Sequence, residues 1–296
     1  MPEARSRADL ACVVIALRAQ AGLVGAVRSV LDQDEAVEVV VVNSGGGDAG
    51  AALRAAGLDV PLVELPDRVF PGAARNAGLD ATAARYVAFL AADCRAADGW
   101  AAARLRAHRA GADAVASAMV SAAPSRAPQR ASLLLLHNRR LPDTPPRRRL
   151  LYGLSYDRAL FERHGRFRED LRIGEDTVFN RSLGEDVRVE WSDAVRTEHS
   201  FPPTVRELLS DQLARGRRRA RMGDRRRGGL AARALLDVAR CARQAAATRD
   251  PRERRELVRA LPLVPAGAAA YAAGALTARP AGSPPLARPR AAGARA

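Results

Sequence analysis

Four short apolar runs dominate the first ninety residues: 11–17 (ACVVIAL), 37–43 (VEVVVVN), 61–65 (PLVEL) and 86–90 (YVAFL). They are too short for buried helices and rich in β-branched residues, so they read as strands buried on both faces. Between them lie helical patterns: 23–33, with Leu23, Val24, Val27 and Val30 on one side, a turn or more through 52–56, and a helix opened by Pro71. Buried strands alternating with helices predict an α/β fold whose mostly parallel sheet is covered on both faces. Ligands of such sheets bind at the carboxyl ends of the strands, which places Arg18, Asn43 and Asp93 along one rim.

Beyond residue 120 the pattern loosens. SAAPSRAPQR and RRLPDTPPRRR flank a leucine-rich helix, ASLLLLHNRR, and read as mobile connections suited to substrate-facing loops. A helix then starts at Thr204, with Val205, Leu208, Leu209 and Leu213 as its expected buried stripe and Gln212, Arg215 and Arg219 on an adjoining solvated line. The run RGRRRARMGDRRR, two arginine-studded helices and a Pro/Ala/Arg tail from about Ala278 follow, the tail expected to be disordered.

The formal net charge is +15, and with no lysine in the chain the positive charge is all arginine. This composition fits either an arginine-solvated surface or an acidic partner, such as a diphosphate-bearing substrate or an anionic membrane face. A nucleic-acid partner is not expected: aromatic residues make up 4% of the chain, and no reading motif accompanies the arginine run. Cys12, Cys94 and Cys241 are odd in number and far apart, which implies no disulfide framework and favours a reducing cytoplasm. The N-terminus does not read as a secretory signal. Residues 261–276 (LPLVPAGAAAYAAGAL), broken by Pro262 and Pro265, read as a packed or interfacial helix and not a span.

Two places carry chemistry. YVAFLAADCRAADGW delivers Asp93 to the end of a strand before Gly99 and Trp100 open a helix. RIGEDTVFNRSL sets Glu175 and Asp176 at a helix mouth, where acids meet the positive end of the helix dipole as simple start residues or as a held base. The turn NSGGGD is a weak signal alone, and Trp100, Trp191, His108, His137 and His164 read as packing or solvent-facing residues.

In order and spacing, VVIALRAQAGLVGAVRSVLDQ, VEVVVVNSGGGD, PGAARNAGLDATAARYVAFLAADC, GLSYDRALFERHGRF and GEDTVFNRSL resemble family 2 glycosyltransferases of the GT-A fold, over about residues 9–220. The resemblance implies a catalytic domain at 1–203, with a nucleotide-sugar half at about 9–120 and an acceptor half at about 121–203. A basic helical extension at 204–277 and the tail at 278–296 complete the expected layout. It implies hexosyl or related transfer from a nucleotide-sugar donor to a hydroxyl-bearing acceptor, lipid-linked or polysaccharide, with inversion and a divalent cation (Mg or Mn). Asn43 and Arg75 match donor contacts, and Asp93 the last aspartate of the D-x-D motif that holds the metal. Asp176 matches the catalytic base, Glu175 its neighbour in the acceptor pocket, and His199 a metal or phosphate ligand. The motif reads AAD, with Ala91 in place of the first acid. That departure keeps a second reading open, a GT-A protein that binds nucleotide sugars with impaired turnover. Peripheral contact at the inner face of the cell membrane is expected of the basic extension.

Overall fold

Each of the four apolar runs forms a strand. In the computed structural model, which describes residues 8–221 and 227–278, β1 (Leu10–Leu17), β2 (Val37–Ser44), β3 (Leu62–Leu65) and β4 (Tyr86–Ala91) lie parallel in the order β3-β2-β1-β4. The sheet continues through strands the apolar runs do not announce. These are β5 (Cys94–Ala96), β6 (Ala114–Ser121), β7 (Ser155–Asp157) and β8 (Val189–His199), which extend the order as β4-β7-β6-β8-β5. β7 is antiparallel to β4 and β6, β8 is parallel to β6, and β5 is antiparallel to β8. The eight-stranded sheet is therefore mixed, its parallel half being the half read from the sequence.

Side chains alternate across this sheet, so each strand feeds two cores. Leu10, Cys12, Val14 and Ala16 of β1 face one layer, while Ala11 and Val13 face the other. The first layer holds α1 (Leu23–Leu31), α2 (Ala49–Ala55), α4 (Trp100–Arg109) and α5 (Ala127–His137). The second holds α3 (Pro71–Asp80), α6 (Ala159–His164) and α7 (Glu175–Ser182). Four of the six phenylalanines, Phe89, Phe161, Phe167 and Phe179, gather there around Tyr156, with ring centroids 4.9–6.4 Å apart. The scarce aromatics are thus concentrated beneath the central strands β4 and β7.

Four more helices, α8 (Val205–Arg221), α9 (Arg227–Ala247), α10 (Pro251–Ala260) and α11 (Leu263–Leu276), pack onto α5 on the first layer. Arg130 of α5 clasps Glu253 and Glu256 of α10. The inner line of α8 differs from the expected stripe: Val205 is exposed, and Leu208, Gln212 and Gly216 are buried. Glycine 216 sits against the backbone of α11, and that close crossing selects the i, i+4 line through it. No single described helix is long and apolar enough to cross a membrane; α10 and α11 reach that length only together, with a 52° bend between them. The tail expected from Ala278, apart from that residue, and residues 222–226 of the arginine run lie outside the described residues.

Candidate active site

The parallel strands order themselves outward from β1 and β4, and the gap between those two is the switch point where such sheets bind ligands. The loop after β1 carries two non-glycine residues with positive φ, Arg18 (54°) and Ala19 (47°). Asn43, fully buried at the end of β2, holds that loop. Its Oδ1 accepts from Ala19 N at 2.9 Å, and its Nδ2 donates to Gly46 O at 3.1 Å and Glu64 Oε2 at 2.8 Å. Asn43 therefore stands at the expected rim with its amide engaged inside the protein, and the neighbouring carboxylate is Glu64 on β3. The turn that follows needs its glycines: Gly45, Gly46 and Gly47 have φ of 76°, 84° and 81°.

Past β4, the pairing of Cys94 with His199 across β5 and β8 brings two distant residues together. Asp93 Oδ2 lies 3.6 Å from His199 Nε2. His199 Nδ1 is 2.7 Å from the carbonyl of Ser200, a contact that requires Nδ1 to carry the proton. Burial pushes the imidazole below its ordinary 6.5, with Asp93 opposing the shift only in part. In the neutral ring the Nε2 lone pair then faces a carboxylate oxygen, an arrangement that a cation between them would relieve. Ligand atoms of Asp93, Cys94 and His199 all lie within 4.8 Å of one another. The Cys94 thiol, raised well above 9.0 by burial and next by the Asp93 charge, stays protonated and is a poor ligand for a hard cation. Asp93 and His199 are the usable pair, offering one carboxylate oxygen and one imidazole nitrogen to a divalent cation.

Across the rim, Gly174 (φ 88°) turns the chain into α7, which opens with Glu175 and Asp176. Glu175 forms a buried ion pair with Arg75 of α3. The Arg75 guanidinium also lies 5.5 Å and 5.8 Å from the ring centroids of Phe167 and Phe89. Next to it, Asn76 donates to Phe167 O at 2.9 Å and accepts from Phe167 N at 3.2 Å, which pins the segment leading into α7. The Arg-Asn pair of α3 thus sets where Asp176 stands. Asp176 is half-buried, and its Oδ1 accepts from Thr177 N at 2.7 Å.

Two cavities flank this arrangement. One of about 270 Å³ covers the ends of β1, β2 and β4, with Leu17, Ser44 and Asp93 in its wall and Arg68, Arg172 and Arg218 around it. A narrow cleft of about 30 Å³ is bounded by Asp176, Arg75, Cys94 and Tyr152. Ala91 borders both. Asp93 and Asp176 accordingly line adjoining spaces that share one wall, at the position where the motif lacks its first acid.

Several residues here were invisible in the sequence. Arg68 and Arg172 sit in loops of an arginine-rich chain, and only their convergence on the larger cavity marks them. Arg104 is fully buried, stacked 4.1 Å over Trp100, and bonded to Val115 O (2.9 Å), Ser155 Oγ (3.0 Å) and Gly153 O (2.7 Å). Burial pushes its guanidinium down to about 9, still charged at neutral pH, and its bond to Gly153 fixes the back wall of the cleft.

The switch-point cavity is thus ringed by guanidinium groups, with an Asp–His pair at its rim and an acidic helix mouth beside it. Residues 11–166 match the sequence model of glycosyl transferase family 2, and the chain belongs to that family of glycosyltransferases. It is 35% identical over 191 residues to the succinoglycan biosynthesis protein ExoO of Rhizobium meliloti, the match covering 57% of this chain and 54% of the relative. The chain thus spans about half the length of that curated relative. Among solved structures it resembles the mannosyltransferase PcManGT of Pyrobaculum calidifontis in complex with GDP-Man and Mn2+. That match has a TM-score of 0.53 and 19% identity, covering 93% of this chain and 77% of the other. The 1–349 fragment of S. aureus TarS in complex with UDP gives 0.51 and 18%, covering 69% and 63%. At these identities the structural likeness is one of fold.

Proposed function

We propose that the protein transfers a sugar, with inversion, from a nucleotide diphosphate donor to a hydroxyl acceptor, with Asp93 and His199 holding a divalent cation and Asp176 acting as general base. The observation that carries this reading is the Asp93 carboxylate facing the His199 Nε2 lone pair at 3.6 Å, at the switch point of the sheet. The donor occupies the larger cavity, where Arg68, Arg172 and Arg218 offer planar donors to its diphosphate. A bound divalent cation supplies positive charge against the departing nucleotide diphosphate. Asp176 takes the acceptor hydroxyl proton as that oxygen bonds to the anomeric carbon, while the bond from that carbon to the diphosphate oxygen breaks on the opposite face.

Asn43 and Arg75 serve this site through the loops they hold. Asn43 shapes the donor loop, and Arg75, through Glu175, positions the base. In this layout residues 1–203 are the catalytic unit, and the basic helical extension, 204–277, adds Arg218 to the donor cavity. The acceptor class, lipid-linked or polysaccharide, draws support from the succinoglycan relative, and the donor class from neighbours holding UDP and GDP-Man. The arginine-bearing extension supports peripheral contact with the inner membrane face.

Hydrolysis of UDP- and GDP-sugars, with and without Mn or Mg, tests the assignment. Activity is expected only with metal, and Asp176→Asn should lower transfer by about 10²–10⁴-fold with donor binding retained. Asp93→Ala and His199→Ala should abolish metal-dependent donor binding. Hydrolysis unchanged in all three variants would remove the assigned site. Wild-type protein that binds donor tightly yet never turns it over would instead be the impaired binding protein that Ala91 suggests.

A further inference from the structure

A cavity of about 320 Å³ lies among α5, α8, α9 and α11 and shares no lining residue with the two cavities at the sheet edge. Its volume falls in the range of ligand pockets, roughly 300–1,000 Å³. The body is apolar, built from Leu135 of α5 and Leu230 and Ala234 of α9. Five polar side chains complete it: Gln212 and Arg219 of α8, Arg233 and Asp237 of α9, and Tyr271 of α11.

Gln212 is 2% exposed, and its Nε2 has no hydrogen-bond partner. Buried amide donors are paired in almost every folded protein, so this one would be completed by an acceptor oxygen in the cavity, from a ligand or from ordered water. Gln212 and Arg219 share one face of α8 two turns apart, about 10 Å along the axis. The rim is cationic: Arg233 is exposed, and Asp237, an acid in the lining, is already held by Arg240 at 2.6 Å. Immediately after Ala234, Leu235 and Leu236 are 58% and 63% exposed, which sets bare apolar surface beside the cationic rim.

We propose that this cavity binds a single-chain anionic lipid, with its phosphate on Arg233 at the rim, an ester carbonyl accepting from Gln212 Nε2, and its acyl chain against Leu135, Leu230 and Ala234. Charge complementarity at the rim and the unpaired amide within select this occupant over a neutral one. The site stands apart from the transfer chemistry and requires no turnover.

Calorimetric titration of the full chain with 1-octanoyl glycerol 3-phosphate, below its micelle concentration, tests the assignment. Glycerol 3-phosphate and 1-octanoyl glycerol are the control arms, carrying the head without the chain and the chain without the charge. Saturable one-to-one binding of the lipid is expected, with either part weaker by about tenfold or more. Ala234→Phe fills the cavity and Arg233→Glu reverses the rim, and each should weaken binding by about tenfold. Arg233 is exposed, so its variant folds even if Ala234→Phe does not. Equal binding of glycerol 3-phosphate would reduce the site to a general anion patch and overturn the proposal. Absence of saturation, or full binding by the Arg233→Glu variant, would overturn it as well. Donor hydrolysis measured on the same protein keeps the two assignments separate, since either can fail while the other holds.

Discussion

A buried guanidinium is stable only when carboxylates, ring faces or carbonyls surround it, and Arg75 has the first two. The side chains of Arg75 and Glu175 are 14% and 5% exposed, so removing one partner strands the other's charge away from water. Glu175→Gln is therefore expected to destabilise the protein by about 3 kcal/mol in urea unfolding, at the lower end for breaking a buried pair. Arg75→Met together with Glu175→Gln should recover much of that loss, because no lone charge remains. The double variant should still transfer sugar slowly, since Asp176 loses the anchor that sets the mouth of its helix. A double-mutant cycle with no coupling between the two sites would show that the pair does not hold α7. At Ala91 a methyl group stands in the wall that the two cavities share.

Helices α8 and α11 cross closely, and glycine makes this contact from both sides. A Cβ on Gly216 would overlap the Tyr271 carbonyl of α11, and one on Gly274 would overlap the Leu213 carbonyl of α8. Gly216→Leu should force the helices apart and cost about 1–3 kcal/mol, as overpacking of a tight core does. Gly229→Leu, where a Cβ meets nothing within 4 Å, is the control and should leave the unfolding midpoint in place. Equal midpoints for both variants would mean that the crossing is looser than described. The expected stripe of α8 failed at this crossing: hydropathy favoured Val205 and placed Gln212 outside, while a glycine contact with another helix decided the buried line. Strand legibility followed the same rule. β1 to β4 are apolar runs closed by turns, whereas β6 (AVASAMVS) is mostly alanine and serine with only two valines, and β8 (VEWSDAVRTEH) carries charges on a mostly half-buried face. The places of Asp93 and Asp176 in the fold were readable because each follows a local signal, a strand end or a helix mouth. The family resemblance offered both Asp93 and His199 as ligands, but local patterning alone does not join them, since their contact depends on the β5–β8 pairing.

For the whole molecule, a formal charge of +15 carried by arginine sets how it meets anionic surfaces. Exposed arginines stud the C-terminal helices, among them Arg217, Arg218 and Arg221 on α8, and Arg252, Arg254, Arg255 and Arg259 on α10. Each arginine near an anionic bilayer contributes about 1 kcal/mol, so a handful facing one surface suffices for reversible binding. Exposed Leu235, Leu236 and Val258 add apolar contact on the same group of helices. The protein should float with phosphatidylglycerol-containing vesicles at low salt and stay at the bottom with phosphatidylcholine alone. Because the attraction is screened over about 10 Å at 0.1 M ionic strength, raising the salt several-fold should release it. Ala234→Phe should float like the wild type, because surface charge and not the interior cavity drives the association. Protein left in the pellet fraction with anionic vesicles at low salt would remove membrane contact from the proposed function, while leaving the Asp93–His199 site and its chemistry intact.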